Sequence, residues 1–198
     1  MYKNLIKPIC DWIIALLAFP FFCILWIIVA IAIKLEDGGP VFYMAERIGK
    51  NSKKLMMYKF RSMKVNAENI LNADGSTFNS KDDPRVTKVG KFLRETSLDE
   101  TAQLLNMLKG EMSLIGPRAS GWDALETYKS DEVDKMKVCP GITGYTQAYF
   151  RNSVSVREKR LKDAWYANNV SFILDLKIFF KTISTVLKRE NIYTNDSL

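Results

Sequence analysis

Two adjacent carboxylates, Asp99 and Glu100, are the residues whose types and spacing most directly suggest chemistry. They stand in Ser97-Leu98-Asp99-Glu100, and the S-x-x-E spacing is that of a capping box, in which Ser97 caps a helix and Glu100 reaches back to the Ser97 N–H. On the pattern alone this structural interpretation is the simpler one. In the chemical interpretation, one carboxylate attacks phosphorus and the other holds a divalent cation, at a helix start whose free N–H groups receive phosphate.

The composition limits which other groups could take part in a reaction. The 198 residues include no histidine, which excludes Ser–His and Cys–His nucleophile pairs, histidine acid–base catalysis and histidine-ligated zinc. The three cysteines form no C-x-x-C spacing, so a disulfide framework is not expected and a reducing cytosolic setting fits best. Chemistry therefore rests on Asp, Glu, Lys, Arg, Ser, Thr or Tyr, with or without a metal ion.

The net charge of +7 favours a polyanionic partner, which could be nucleic acid, anionic lipid or a phosphorylated small molecule. No nucleic-acid-binding motif accompanies this charge, so we expect no nucleic-acid partner. Dinucleotide-binding G-x-G-x-x-G, P-loop and H-E-x-x-H motifs are also absent from the sequence. The guanidinium groups of Arg94, Arg118 and Arg151 could instead clamp phosphate oxygens in pairs.

An uncharged apolar segment occupies residues 12–33 and, as a helix, would extend about 33 Å, the thickness of a hydrocarbon core. It is longer than the apolar part of a signal peptide. Pro20 lies near its middle, and basic residues flank it on both sides, with Lys3 and Lys7 before it and a series that begins at Lys34 after it. Positive charge marks the cytoplasmic side of a membrane. The sequence therefore favours a helix that bends at Pro20 and returns to one face, with a spanning helix as the alternative.

The segment after the apolar helix predicts a β-hairpin. Residues 41–47 and 55–63 read as two strands around the polar turn at 49–53. Alternation in the second strand places Lys59 and Arg61 on one face. This face is either the solvated side of a half-buried hairpin or a surface that binds phosphate.

The rest of the chain predicts an α+β protein that is mostly helical. Residues 111–118 and 140–144 are interpreted as a loop and a turn. The last helix is amphipathic, which is typical either of core packing or of docking at a membrane interface. The predicted helices cover residues 67–73, 84–95, 97–108, 121–130, 154–169 and 171–189.

Several stretches, taken in order, resemble the bacterial sugar transferase family, the monotopic phosphoglycosyl transferases. They cover nearly the whole chain, and it is the ordered set that is specific. The chain looks like the minimal form of the family. The matching stretches are the apolar N-terminus with Pro20, GPVFYMAERIGKNSKKLMMYKFRSM (39–63), SLDETAQLLNMLKGEMSLIGPR (97–118), PGITGYTQ (140–147) and RNSVSVREKRLKDAWYANNVSFILDLKIFFKTISTVLKR (151–189).

The resemblance implies an enzyme that moves a sugar-1-phosphate from a UDP-sugar to a polyprenol phosphate such as undecaprenyl phosphate. The products would be polyprenyl-diphospho-sugar and UMP, at the start of glycan assembly. The family anchor is a re-entrant helix bent at a proline, which Pro20 matches. Residues 1–37 would form this anchor, and residues 38–198 a catalytic domain with interfacial C-terminal helices, on the cytoplasmic face of the bacterial inner membrane. Assembly into a homo-oligomer is left open.

The resemblance also implies roles for site residues. Asp99 would be the nucleophile that forms a phosphosugar-enzyme intermediate, Glu100 would bind Mg²⁺, and Arg118 would hold phosphate. Ala119 stands where the family usually has proline, and Phe150 where glycine is common, which leaves the sugar open. A membrane-tethered binding protein of the same fold is the alternative, against which the intact dyad argues. Further site candidates in matched stretches are Lys59, Arg61, Arg94, Gln147, Arg151 and Asp163.

Overall fold

A computed structural model describes residues 1–68, 70, 78, 80, 82–151 and 153–188. The architecture confirms an α+β protein that is mostly helical and carries a small antiparallel hairpin. Short 3₁₀ helices connect several of the elements. The helices are α1 (Lys7–Asp37), α2 (Lys88–Glu95), α3 (Leu104–Leu108), α4 (Tyr145–Tyr149), α5 (Val156–Asn168) and α6 (Phe172–Leu187), and the strands are β1 (Phe42–Ile48), β2 (Lys54–Phe60), β3 (Ser113–Ile115) and β4 (Gly141–Thr143).

Helix α1 is continuous through Pro20 and carries one buried stripe along its length. Ala15, Phe22, Val29 and Ile33 lie on this stripe, since seven residues make about two helical turns. Together with the π-helical turn before it, α1 is the one helix in the described part of the chain that is long and apolar enough to cross a membrane. Its other sides expose large apolar side chains, which fits an apolar surrounding rather than water.

Both ends of α1 are bound to the same domain. At the start, Lys7 Nζ lies 2.8 Å from Asp175 Oδ2 in α6, and Asp11 Oδ2 accepts a hydrogen bond of 2.6 Å from the Ser113 hydroxyl. At the end, the Asp37 carboxylate pairs with the buried guanidinium of Arg61. Because its start, middle and end all contact the domain, the helix lies along the domain and not away from it.

The predicted hairpin is confirmed. Strands β1 and β2 pair antiparallel, with Phe42 opposite Phe60 and Ile48 opposite Lys54. Phe22 of α1 stacks on Phe60 at a ring-centroid distance of 5.9 Å. One face of the hairpin therefore forms part of the core beneath α1.

A second, parallel pair of strands was not predicted. Ser113–Ile115 and Gly141–Thr143 pair where the sequence predicts a loop and a turn. Strands of three residues are too short for an alternating pattern to show, and their pairing partners are 28 residues apart. The Gly116 N–H donates to the Thr143 carbonyl at 2.9 Å, so this pair joins the segment that ends at Arg118 to the segment that begins α4.

The helix predictions are confirmed in part. Helices α2, α5 and α6 lie inside the predicted ranges 84–95, 154–169 and 171–189. Ranges 97–108 and 121–130 are corrected: the first is a 3₁₀ helix (Leu98–Gln103) followed by α3, and the second is a 3₁₀ helix (Trp122–Thr127). The helix predicted at 67–73 falls largely outside the described residues. In α6 one face is buried and the opposite face exposes Phe172, Ile173, Leu176, Phe180 and Ile183.

Candidate active site

A strained turn places the two adjacent carboxylates. Ser97 adopts a left-handed backbone (φ 59°) between α2 and the 3₁₀ helix, a conformation that costs a non-glycine residue about 1–3 kcal/mol. Ser97 makes no capping hydrogen bond with its side chain. The capping-box interpretation of Ser97 and Glu100 is therefore wrong, because Glu100 extends away from the turn and not back to it.

Lys59 of β2 is the cation that faces the dyad. Its Nζ donates to Glu100 Oε1 at 2.7 Å and lies 3.9 Å from Asp99 Oδ2. All three side chains are largely shielded from solvent, with exposed fractions of 19% for Lys59, 13% for Asp99 and 25% for Glu100. The face of the hairpin that carries Lys59 is therefore not only a solvent-exposed surface, since Lys59 binds the two carboxylates.

The two carboxylates have pKa values displaced in opposite directions. Burial raises the pKa of Asp99, and the neighbouring charge of Glu100 adds to this, while Lys59 and Arg94 oppose it. For Glu100, burial is outweighed by Lys59 and Arg118, which lower its pKa to about 2. Opposite shifts in adjacent acids are a feature of reactive sites, because they assign the two groups different roles.

Arginine side chains approach the dyad from three other segments. Arg118 Nη1 lies 3.9 Å from Glu100 Oε1, and its side chain is 56% exposed. The charge of Arg151 lowers the pKa of Glu100, and that of Arg94 lowers the pKa of Asp99. Arg94 is held in place through a 2.9 Å hydrogen bond from its Nε to the Ser62 hydroxyl. The structure therefore places Lys59 and Arg118 within ion-pair distance of Glu100, and the positive charges of Arg94 and Arg151 also act on the dyad.

Asp163 lies beneath the Arg118 loop instead of beside the dyad. It is 1% exposed, accepts a 3.2 Å hydrogen bond from the Arg118 backbone N–H, and accepts another of 2.8 Å from the Thr146 hydroxyl. Lys135, also buried, lies 3.3 Å from Asp163 and donates to the Arg118 carbonyl at 3.0 Å. We call Lys135 and Asp163 the clamp. It holds the Arg118 peptide from both sides, and sequence reasoning missed Lys135 because no motif marks it.

Two other predicted residues are not brought to the dyad. The Arg61 guanidinium binds Asp37 and donates from Nε to the Pro40 carbonyl at 2.6 Å, so its contacts secure the end of α1. Gln147 in α4 donates from Nε2 to the Ile142 carbonyl at 3.2 Å, while its Oε1 is buried without a hydrogen-bond partner among the described residues.

A metal ion at this site would depend on substrate for much of its coordination. The described part of the chain holds no group of three or more Cys, Asp or Glu side chains that could bind a metal by itself. Lys59 Nζ donates a hydrogen bond to Glu100 Oε1. Glu100 Oε2 receives no hydrogen bond from the residues described. One free carboxylate oxygen, completed by water and phosphate oxygens, is the kind of site that Mg²⁺ accepts.

Comparison with known proteins points to one family. The model of the bacterial sugar transferase family matches residues 2–189. The undecaprenyl-phosphate galactose phosphotransferase of Salmonella typhimurium is 39% identical over 96% of this chain and 41% of its own length. The exopolysaccharide production protein ExoY of Rhizobium meliloti is 40% identical over 89% of this chain and 83% of its own length.

A further relative is the UDP-N-acetylgalactosamine-undecaprenyl-phosphate N-acetylgalactosaminephosphotransferase of Aeromonas hydrophila. It is 39% identical over 92% of this chain and 44% of its own length. This chain therefore spans less than half the length of the Salmonella and Aeromonas relatives. The match runs through every segment that supplies the dyad, the hairpin and the Arg118 loop. The chain belongs to the bacterial sugar transferase family.

Proposed function

We propose that this protein transfers a sugar-1-phosphate from a UDP-sugar to undecaprenyl phosphate. The observation that carries the proposal is the pair Asp99 and Glu100, enclosed by Lys59 and Arg118 in a site without histidine. Cations on several sides can bind a diphosphate, and a shielded carboxylate beside them can attack it. The printed names of the Salmonella and Aeromonas relatives describe transfer of this kind.

In the proposed first step, an Asp99 carboxylate oxygen attacks the phosphorus that bears the sugar. A bond forms between that oxygen and phosphorus, and the bond from phosphorus to the bridging oxygen breaks, which releases UMP. In the second step, an oxygen of undecaprenyl phosphate attacks the same phosphorus and Asp99 leaves as a carboxylate. Lys59, 3.9 Å from Asp99, favours the ionised form that the first step needs.

Mg²⁺ is part of the proposal, with Glu100 and the donor diphosphate as its ligands. A bound divalent cation would neutralise charge on the diphosphate and reduce the repulsion of an approaching carboxylate. The low pKa of Glu100 keeps this carboxylate ionised and ready to bind a cation at neutral pH. We expect EDTA to stop UMP release and added Mg²⁺ to restore it; release that persists in excess EDTA would remove the metal from the proposal.

The proposed membrane arrangement rests on the contacts of α1 and on the location of the donor. UDP-sugars are cytosolic, so the dyad belongs on the cytoplasmic face, and both ends of α1 contact the domain that holds the dyad. We propose that the exposed apolar sides of α1 enter one leaflet of the inner membrane while both ends stay at this face, with Pro20, inside the continuous helix, as the place where α1 bends in the membrane. Cysteine labelling at position 2 from each side of the membrane tests this. A periplasmic N-terminus would contradict it.

The central experiment compares Asp99→Asn with Asp82→Asn. Asp99→Asn should abolish UMP release and any sugar-phosphate adduct on the protein, because the amide cannot serve as the nucleophile. Asp82 is the matched control, since its side chain is 90% exposed and, among the described residues, pairs only with Lys91, at 3.9 Å. Full activity of Asp99→Asn would refute the assignment of the nucleophile.

The sugar is found by assaying UDP-sugars for UMP release with undecaprenyl phosphate. The panel begins with UDP-galactose and UDP-N-acetylgalactosamine, because the relatives are named for these sugars. It continues with UDP-glucose and with N-acetylated amino and diamino sugars. If no UDP-sugar releases UMP while the protein is folded, the proposed reaction is wrong.

A further inference from the structure

Arg47, near the end of β1, is a charged residue that the proposed reaction does not use. Its Nε is buried and has no hydrogen-bond partner among the residues that the structure describes. Within the same residues its guanidinium forms no ion pair, although Asp123 acts on it from beyond ion-pair distance. A buried N–H without a hydrogen-bond partner is costly, so a folded protein that retains one requires an explanation.

The segment that carries Arg118 lies beside Arg47. The end of β1 pairs with the segment after Arg118, because the Ile48 N–H donates to the Ser120 carbonyl at 2.9 Å and Arg47 forms a β-bridge with Gly121. Burial and the charge of Arg118 both lower the pKa of Arg47. Two guanidinium groups so placed repel each other unless an anion binds to both.

We propose that Arg47 and Arg118 together bind the nucleoside-side phosphate of the UDP-sugar. This inference rests on the proposed function, because it takes the diphosphate donor from it. The anion is a phosphate because the donor supplies one. A planar guanidinium can bind its oxygens through two parallel hydrogen bonds.

The position of Arg47 selects the nucleoside-side phosphate. Lys59 faces the dyad, where the sugar-bearing phosphorus is attacked, and Tyr43 stands opposite Lys59 in the hairpin. Arg47 is four residues further along β1 and on the same face, so its Cα lies about 13 Å from that of Tyr43. Of the two adjacent phosphates, Arg47 is therefore nearer to the one that is not attacked. Arg118 Nη1 lies 3.9 Å from Glu100 Oε1, and the residues that follow Arg118 pair with the end of β1, so Arg118 stands between the dyad and Arg47.

The test is Arg47→Met in the full-length protein, with UDP and UMP as probes in the presence of Mg²⁺. We expect the affinity for both nucleotides to fall about 10- to 100-fold, since charged hydrogen bonds to phosphate are lost. Arg47→Lys should recover part of it. Without nucleotide, Arg47→Met should melt at the same or a higher temperature, because it removes a buried N–H that has no hydrogen-bond partner among the described residues, a result that a merely structural arginine would not give.

Lys54→Met is the matched control, because Lys54 is an exposed cation of the same hairpin that pairs with Glu46 at 2.9 Å. Its affinity for UDP and UMP should equal that of the wild type. Unchanged nucleotide affinity in Arg47→Met, or a rise only in the KM for undecaprenyl phosphate, would overturn the inference. If the wild type binds UDP through Arg47 but releases no UMP from any UDP-sugar, the proposed reaction fails while the phosphate site stands.

Discussion

Replacement of Lys135 by methionine tests whether the clamp positions Arg118. The substitution removes the 3.3 Å ion pair with Asp163 and the hydrogen bonds to the Arg118 carbonyl (3.0 Å) and the Ser120 hydroxyl (3.2 Å). Asp163 then keeps only two neutral donors in a fully buried position. Loss of one partner of a buried pair costs about 3–5 kcal/mol, which lowers the melting temperature by roughly 10 °C in a domain of this size.

The clamp should also affect catalysis through Arg118. A displacement of about 1 Å in a positioning loop can cost about 100-fold in rate, so we expect kcat/KM for the UDP-sugar to fall by that order in Lys135→Met. Lys135→Arg keeps the charge and should recover much of the loss. Lys137→Met is the control, because Lys137 is 57% exposed and, within the part of the chain that the structure describes, pairs only with Asp134 at the surface. Its stability and activity should change little.

A double-mutant cycle separates positioning from general destabilisation. In an Arg118→Ala background, Lys135→Met should still lower the melting temperature but should reduce kcat/KM little further, because the side chain that it positions is gone. An equal reduction of kcat/KM in both backgrounds would refute the role of the clamp. Hydrogen exchange of peptides that cover residues 113–121 gives a second readout, and it should accelerate in Lys135→Met.

Three further predictions follow from particular contacts. Ser155→Ala should lower the unfolding free energy by about 1 kcal/mol in thermal or urea unfolding, whereas Ser97→Ala should leave it nearly unchanged, because the Ser155 side chain caps a helix and the Ser97 side chain does not. The acid limb of UMP release against pH should lie above that of an ordinary carboxyl, since the pKa of Asp99 is raised, and Lys59→Met should move it to higher pH, because Lys59 opposes the rise. Lys7→Met should cost about 3–5 kcal/mol in thermal unfolding, because it leaves a buried carboxylate without its cation.

The long elements of this fold could be predicted because their patterns are local. The apolar run of α1, the alternation in the hairpin and the helical periods of α5 and α6 each repeat often enough to be read from sequence. Strands β3 and β4 could not be predicted, since a strand of three residues is too short to show an alternating pattern. The sequence also did not predict that range 97–108 begins as a 3₁₀ helix, because that geometry depends on a strained turn at Ser97.

Two S-x-x-E motifs in the same chain separate local from tertiary control. Ser155 and Glu158 form the complete capping box that their spacing predicts. Ser97 and Glu100 have the same spacing but form no capping box. Lys59, 41 residues away along the chain, instead donates to Glu100 Oε1 at 2.7 Å. In this shielded site the Glu100 carboxylate faces the full positive charge of Lys59, which attracts it more strongly than the partial charge of a backbone N–H does.

The sequence by itself determined the family, the apolar helix and the chemical identity of Asp99 and Glu100, since these lie in contiguous stretches. Only the tertiary structure decided what those carboxylates face. Lys59 and Arg118 reach Glu100 from separate segments, and the clamp holds Arg118 through residues 17 and 45 positions further along the chain. No spacing rule connects such residues, because their proximity arises from the packing of the hairpin, the strand pair and α5 in the folded domain.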